Sequence, residues 1–473
     1  MKKFYITNSI PYVNASPHIG HALEFVQSDV LKRFHKEILK EETLLLCGSD
    51  ENALKNVQAA EKAGTPVQEF VDKNAKLFES LADKLNIQFD VFQKGSDTDH
   101  HFTSSQTLWG LCNKKGDIYK KEYRGLYCVG CETFYTKDEL NEDGECYEHL
   151  GKKLEEVAES NYFFKLSKYQ DRLIELISSD KLSILPQTRK NEVLSFLKQP
   201  LQDISISRSN ERAKNWGVPV PGDDSQRIYV WFDALNIYQS GIGFGWDEVK
   251  YKKWWPADAH VIGKGISRFH AVYWPAFLLS AGLETPKQIL VHGYVTVEGG
   301  KMSKTTGNVV DPFSLIEKYG TDAIRYYLLR EIPTSGDGDF SEHRFKELYN
   351  ADLANGLGNL VARVTKLAES LELATTTPEK MSSEISKFIS TFEFNRALQS
   401  IWSRIDEVNA QINIAEPWKI TDSEKKKEFL FKTVTQLLQI AFDLQPFLPQ
   451  TAKLVLKSVS GKITKPATLF PRL

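Results

Sequence analysis

Ser16-Pro17-His18-Ile19-Gly20-His21 is the stretch whose reading decides the fold. Just upstream, Phe4-Tyr5-Ile6-Thr7 reads as a short buried strand, and Pro11 ends it. Ser16 is a good N-cap, and Pro17 suits the first helical position, where no N–H is needed. Ile19, Leu23, Val26, Val30 and Phe34 recur at steps of three and four, which predicts an amphipathic helix. Its first turn carries free N–H groups and the positive end of the helix dipole, both favourable to phosphate. His18 and His21 share one face of that turn. Gly20 has no side chain, so a flat adenine base could lie against the backbone. Two imidazoles here can donate hydrogen bonds to an α-phosphate as charge builds during displacement. Taken alone, the segment is explained better as a capped helix with surface histidines.

A second segment changes that balance. Lys301-Met302-Ser303-Lys304-Thr305 begins 280 residues after His21. Gly299-Gly300 and Gly307 mark a loop, and Lys301 and Lys304 would offer positive charge to a leaving pyrophosphate. Alone, this is an ordinary solvated lysine loop. Before it, Ala259-His260-Val261-Ile262 reads as a strand leading into the glycine turn Gly263-Lys264-Gly265. Leu290-Val291-His292-Gly293-Tyr294-Val295 reads as another strand. Strands with helices between them predict an α/β fold with a doubly wound, Rossmann-like parallel sheet, which binds nucleotides at its C-terminal strand ends.

The two segments resemble the HIGH and KMSKS motifs of class I aminoacyl-tRNA synthetases, with Thr305 standing for the final serine. The chain-long pattern is similar to the methionyl-tRNA synthetase family. It includes Ser9-Ile10-Pro11-Tyr12, Tyr229-Val230-Trp231-Phe232-Asp233-Ala234-Leu235, Arg268-Phe269-His270 and Trp274-Pro275. His292-Gly293-Tyr294-Val295, Asn359-Leu360-Val361-Ala362-Arg363 and Pro417-Trp418 continue it. The resemblance implies a methionine pocket of Ile10, Tyr12, Asp50, Trp231, Ala234, Leu235, Tyr238, Ile266, His270 and Trp274. A polarisable thioether packs well on such aromatic edges. It also implies ATP contacts at His18, Gly20, His21, His292, Gly293, Lys301, Ser303 and Lys304, with Asp50 and Arg208 beside the chemistry. Asn359, Arg363 and Trp418 are implied to read an anticodon, by stacking and base-edge hydrogen bonds. For Trp418, packing at a helix start competes with that role.

Two segments depart from the family. Asp50-Glu51-Asn52-Ala53 stands for Asp-Glu-His-Gly, and Gly263-Lys264-Gly265 for Gly-Lys-Asp. The family aspartate faces the ribose of ATP, so Gly265 removes an acceptor there.

Cys128-Val129-Gly130-Cys131 precedes Cys146-Tyr147-Glu148-His149 by a polar stretch of fourteen residues. Three thiolates and one imidazole at this spacing predict one structural, tetrahedral Zn²⁺ on Cys128, Cys131, Cys146 and His149. A disulfide fits less well, because no signal peptide is seen and the opening residues enter the fold directly. Cys47 and Cys112 are left as buried thiols.

The chain has 473 residues, 41% of them apolar and 26% charged, which fits a soluble globular enzyme. No apolar run reaches the roughly 20 residues that span a bilayer. Net charge is −2, so overall charge does not announce a nucleic acid. From residue 344 on, 18 Lys and Arg against 14 Asp and Glu give +4, the more basic end. The expected domains are a first catalytic half (1–115), a zinc-knuckle insertion (116–225) and a second catalytic half (226–330). A connector (331–350) and an all-α anticodon-binding bundle (351–473) follow. Leu353, Leu357, Leu360, Val364 and Leu367 form one apolar stripe of that bundle.

The expected reaction joins methionine and ATP to methionyl-adenylate, then passes the methionyl group to the 3′ end of tRNA(Met). Mg²⁺ would accompany ATP, held mainly by phosphate oxygens. A cytoplasmic monomer is expected, without a membrane partner. A synthetase for another amino acid and an inert tRNA-binding paralogue remain open alternatives.

Overall fold

The computed structural model describes residues 2–473 apart from 129–132, 136–138, 148–150, 152, 302–308, 372 and 374. At positions 123, 133, 134 and 301 it describes the backbone alone. Six parallel strands form the central sheet: β1 (Lys3–Asn8), β2 (Glu42–Ser49), β3 (Val91–Lys94), β4 (Ser183–Leu185), β5 (Ala259–Gly263) and β6 (Gln288–His292). Their order across the sheet is β3-β2-β1-β5-β6-β4. The chain winds outward from β1 to β2 and β3 on one side, and from β5 to β6 on the other. The order therefore reverses between β1 and β5, where Thr7 pairs with His260. In doubly wound sheets the crevice at such a reversal is where ligands bind.

Helix α1 (Ile19–Arg33) follows β1, but it does not start as its sequence suggests. His18, not Ser16, is the N-cap, and Pro17 lies outside the helix. The His18 Nδ1 accepts from the Gly20 N–H at 3.1 Å, and the His21 Nδ1 accepts from the His18 N–H at 3.1 Å. This is a capping box made of two imidazoles; a serine two residues earlier cannot reach the same donors. Ile19, Leu23, Val26 and Val30 are buried as their spacing predicts, and Phe34 begins a π-helical turn.

The stretch around His292 also differs. Strand β6 stops at His292, and Val295–Val297 pairs in a separate small sheet with Gly300–Lys301 and Gly338–Phe340. Gly293 permits the break, because a Cβ there would lie 2.0 Å from the Gly336 carbonyl oxygen. Strand β4 falls inside the stretch expected as an insertion, yet pairs with β6. The rest of that stretch is largely antiparallel: Ile118–Cys128 pairs with Glu155–Phe164 along its length and with Thr133–Tyr135 at its tip.

After residue 341 every described regular element is helical. Leu353, Leu357, Leu360 and Val364 are buried, on a π-helical turn that runs into the helix Asn359–Ala368. The bundle is fastened to the catalytic half through a buried charge cluster. Arg325 pairs with Asp29 of α1 at 2.8 Å. It also donates to the carbonyls of Pro446 and Phe447, at 3.0 and 2.8 Å, between two helices of the bundle. Arg33 shares the same Asp29 oxygen at 2.8 Å. A guanidinium offers five donors in a fixed fork, so one buried arginine can tie a carboxylate and several carbonyls together. No helix among the described residues is long and apolar enough to cross a membrane.

Candidate functional site

Helix α1 delivers both histidines to the reversal between β1 and β5. The capping box uses the Nδ1 of each ring as an acceptor. A neutral imidazole has one N–H, so each ring carries its hydrogen on Nε2. Burial, with His18 and His292 close by, holds the His21 imidazole well below the usual histidine range. The rings stack with centroids 3.9 Å apart, and His21 lies edge-on to Phe78. Stacked, backbone-fixed and neutral at pH 7 in the case of His21, such rings donate without repelling one another.

Glu24, one turn further along α1, is a residue the sequence reading passed over. Its carboxylate accepts from the Ser9 N–H at 2.8 Å and faces the His292 Nε2 at 3.0 Å. It thereby locks the end of β1 to the end of β6. His292 and Gly293 thus come to the same crevice as His18, Gly20 and His21.

The expected pocket residues assemble behind it. Trp231, Ala234, Leu235 and Tyr238 are buried on helix Val230–Ser240. Ile10, Tyr12 and Ile266 pack on the same apolar cluster as Trp231, Leu235, Tyr238 and Trp274. Trp231 meets Tyr12 edge-on at 6.2 Å and stacks on Phe269 at 3.7 Å. Phe269 went unassigned in the sequence, where only its position beside His270 marks it. The His270 Nδ1–H donates to the Ile266 carbonyl at 2.9 Å, so its Nε2 accepts the Tyr238 hydroxyl at 2.7 Å. Burial pushes His270 down to about 4, against the opposing pull of that carbonyl and of Glu24. Burial likewise drives the Tyr238 hydroxyl well above its usual range. Asp50 is buried beside Tyr12, its N–H donating to the Pro11 carbonyl at 2.9 Å.

The two departures have visible consequences. Asn52 donates to Asp233 at 2.6 Å and to the Gly95 carbonyl at 2.7 Å. Asp233 also faces the buried His101 at 2.7 Å. Asn52 therefore ties the Asp50 segment to the pocket helix, which no spacing rule foretells. At Gly265, a Cβ would lie 2.0 Å from the Tyr294 hydroxyl oxygen, so that hydroxyl fills the side-chain space. Lys264 pairs with Asp337 at 2.6 Å over the Tyr294 ring.

Other expected residues lie elsewhere or out of view. Arg208 is buried on strand Ser207–Ser209, donating to the Ser205 hydroxyl and the Ser207 carbonyl at 3.0 and 2.7 Å. The Lys301 backbone pairs with Thr296, but Ser303 and Lys304 lie outside the described residues. So do Cys131 and His149. The Cys128 and Cys146 sulfurs are buried 3.3 Å apart and form no disulfide. Among the described residues no larger cluster of metal-binding side chains occurs. In the bundle, Asn359 is exposed, and Arg363 donates to Asn413 at 2.7 Å. Trp418 is 52% exposed in a turn, and the next helix starts only at Ser423, so packing at a helix start is not its place.

Comparison with known proteins decides the family. Residues 4–365 match the family model described as tRNA synthetases class I (M). The chain belongs to this family. It is 40% identical to the methionine–tRNA ligase of Brucella melitensis, over 98% of this chain and 93% of that one. The Mycobacterium tuberculosis methionyl-tRNA synthetase bound by methionyl-adenylate superposes with a TM-score of 0.90 at 35% identity, covering 99% of this chain and 100% of that one. The free form of that enzyme gives 0.83 at 33% identity, covering 100% and 98%.

Proposed function

We propose that this chain activates methionine with ATP and transfers it to the 3′ end of tRNA(Met). The observation that carries the reading is the junction at the sheet reversal. Two Nε2–H imidazoles on one helix N-terminus adjoin an aromatic pocket closed by Tyr238 and His270. The first is suited to an α-phosphate and the second to a thioether.

In the first step a carboxylate oxygen of methionine attacks the α-phosphorus of ATP, and the bond to the β-phosphate bridge breaks. Pyrophosphate leaves and methionyl-adenylate remains. His18 and His21 donate to the oxygens that gain charge, while Lys301 and Lys304 attend the leaving pyrophosphate. Ser303, Gly20, His292 and Gly293 complete the ATP contacts. Asp50 holds the α-ammonium of methionine, and Arg208, set back on strand Ser207–Ser209, acts from the wall of the site rather than on the reacting atoms. Ile10, Tyr12, Trp231, Ala234, Leu235, Tyr238, Ile266, His270 and Trp274 enclose the side chain. In the second step a ribose hydroxyl of the terminal adenosine attacks the carbonyl carbon, and AMP leaves. Most of the rate comes from positioning and fixed donors. Mg²⁺ accompanying ATP would supply charge neutralisation.

The residues at the hairpin tip fit a structural Zn²⁺. Ligands on a tetrahedral ion with Zn–S bonds of about 2.3 Å lie about 3.8 Å apart, near the 3.3 Å between Cys128 and Cys146. Cys131 and His149 would complete the set. The domain limits expected from the sequence, with β4 (Ser183–Leu185) returned from the insertion to the central sheet, the monomeric state, the cytoplasmic location and the anticodon role of Asn359, Arg363 and Trp418 belong to the same proposal.

His21→Ala tests the catalytic core of the reading. Methionine-dependent pyrophosphate exchange should slow roughly 100-fold, the scale of one lost oxyanion donor, with little change in the methionine KM. A wild-type exchange rate in this variant would remove His21 from the chemistry.

A further inference from the structure

Beside the pocket helix lies a small open recess whose walls carry three arginines. Arg208, Arg212 and Arg227 come from neighbouring pieces of the antiparallel region, and Tyr127 and Trp216 stand among them. Asn52, two residues from Asp50, and Val230, next to Trp231, form its inner wall. The cavity therefore borders the candidate active site.

Among the described residues, the charges of Arg212 and Arg227 are incompletely answered. Arg212 pairs with Glu155 at 3.0 Å, and that carboxylate is more than half exposed. Arg227 donates at 3.2 Å to the backbone carbonyls of Asp224 and Gln226, which neutralise no charge. The Arg212 Nε, the Arg227 Nε and the Asn52 Oδ1 are buried without a hydrogen-bond partner among the described residues. Aromatic faces hold the guanidinium groups in place: Arg212 lies 4.2 Å from the Tyr127 ring centroid and Arg208 4.4 Å from that of Tyr229. Like charges gathered in a recess disfavour one another unless an anion joins them. Guanidinium forks match phosphate oxygens, and arginine beside aromatic rings is how unpaired nucleotides are gripped.

We infer that this cavity binds a phosphate of the unpaired 3′ end of tRNA, through Arg212 and Arg227, and so guides the terminal adenosine to the adenylate. The inference rests on the charging reaction proposed above. The same chemistry could serve a phosphate of ATP or free pyrophosphate, and the test separates these sources.

The double variant Arg212→Gln/Arg227→Gln touches neither the histidines nor the methionine pocket. Its KM for tRNA should rise about tenfold, and the slope of log KM against log salt should flatten by about 0.7, as for one lost single-strand phosphate contact. Pyrophosphate exchange with methionine should stay within twofold of the unaltered protein. The 5′-phosphorylated trinucleotide CCA, titrated directly, should bind about tenfold more weakly to the variant. Unchanged tRNA KM and unchanged trinucleotide binding would overturn the inference. So would a raised KM for ATP or pyrophosphate with tRNA unaffected, which would give the cavity to the nucleotide. The direct titration needs no turnover, so it judges the cavity even if the unaltered protein failed to charge tRNA.

Discussion

At the scale of single residues, proton placement does much of the chemistry. His270 illustrates it, with one ring nitrogen committed to a carbonyl and the other to a tyrosine hydroxyl. Its depressed value of about 4 means the ring stays neutral through the physiological range. The methionine KM should therefore be flat from pH 8 down to about 5. A KM that changed between pH 7 and 6 would show a histidine titrating in its ordinary range. The sign for stability follows from the same shift. The unfolded ring takes up a proton near 6.5 and the folded ring only near 4, so the unfolded state binds more protons between them. That stabilisation is complete above about pH 6.5 and is lost as pH falls towards 4. His18 and His21 were legible in the sequence by identity and spacing, but their protonation was not. It depends on the capping box, and a capping residue is named by backbone geometry rather than by residue type. Asn52 was legible only as a departure, because its partners Asp233 and Gly95 are brought near by folding alone.

Elements carried more of their identity in the sequence. The apolar periodicity of α1 and of the segment from Leu353 to Val364 gave the right helices, because burial of one stripe is their main reason to form. The break after His292 was marked in the sequence only by Gly293, whose close approach to Gly336 is a long-range contact that no local pattern reveals. Cys128 and Cys146 lie buried at the end of the hairpin formed by Ile118–Cys128 and Glu155–Phe164. Metal binding would supply folding energy there. We expect about one Zn²⁺ per chain by elemental analysis of the purified protein. Cys128→Ser should lose most of that metal and melt earlier. A metal-free protein with unchanged melting would remove zinc from the account.

At the scale of the whole molecule, the helical bundle is tied to the rest of the chain through buried Arg325, which pairs with Asp29 and donates to the carbonyls of Pro446 and Phe447. Trp418 lies on the bundle, half-exposed, and contributes little to the core. Trp418→Ala should leave the melting temperature nearly unchanged. It should weaken charging of tRNA by a stacking contact of about 1–3 kcal/mol, with methionine-dependent exchange intact. If charging, exchange and melting fell together, Trp418 would be acting through the fold. The measurement that reaches furthest is pyrophosphate exchange at saturating ATP with each of the twenty amino acids. The pocket of Tyr12, Trp231, Tyr238, His270 and Trp274 suits a long unbranched thioether and excludes β-branched side chains by shape. One methylene is worth only about 1–3 kcal/mol in such a pocket, so leucine should be rejected less sharply than valine. Exchange should be strongest with methionine and negligible with valine. Equal exchange with leucine and methionine, or none with methionine, would contradict the account.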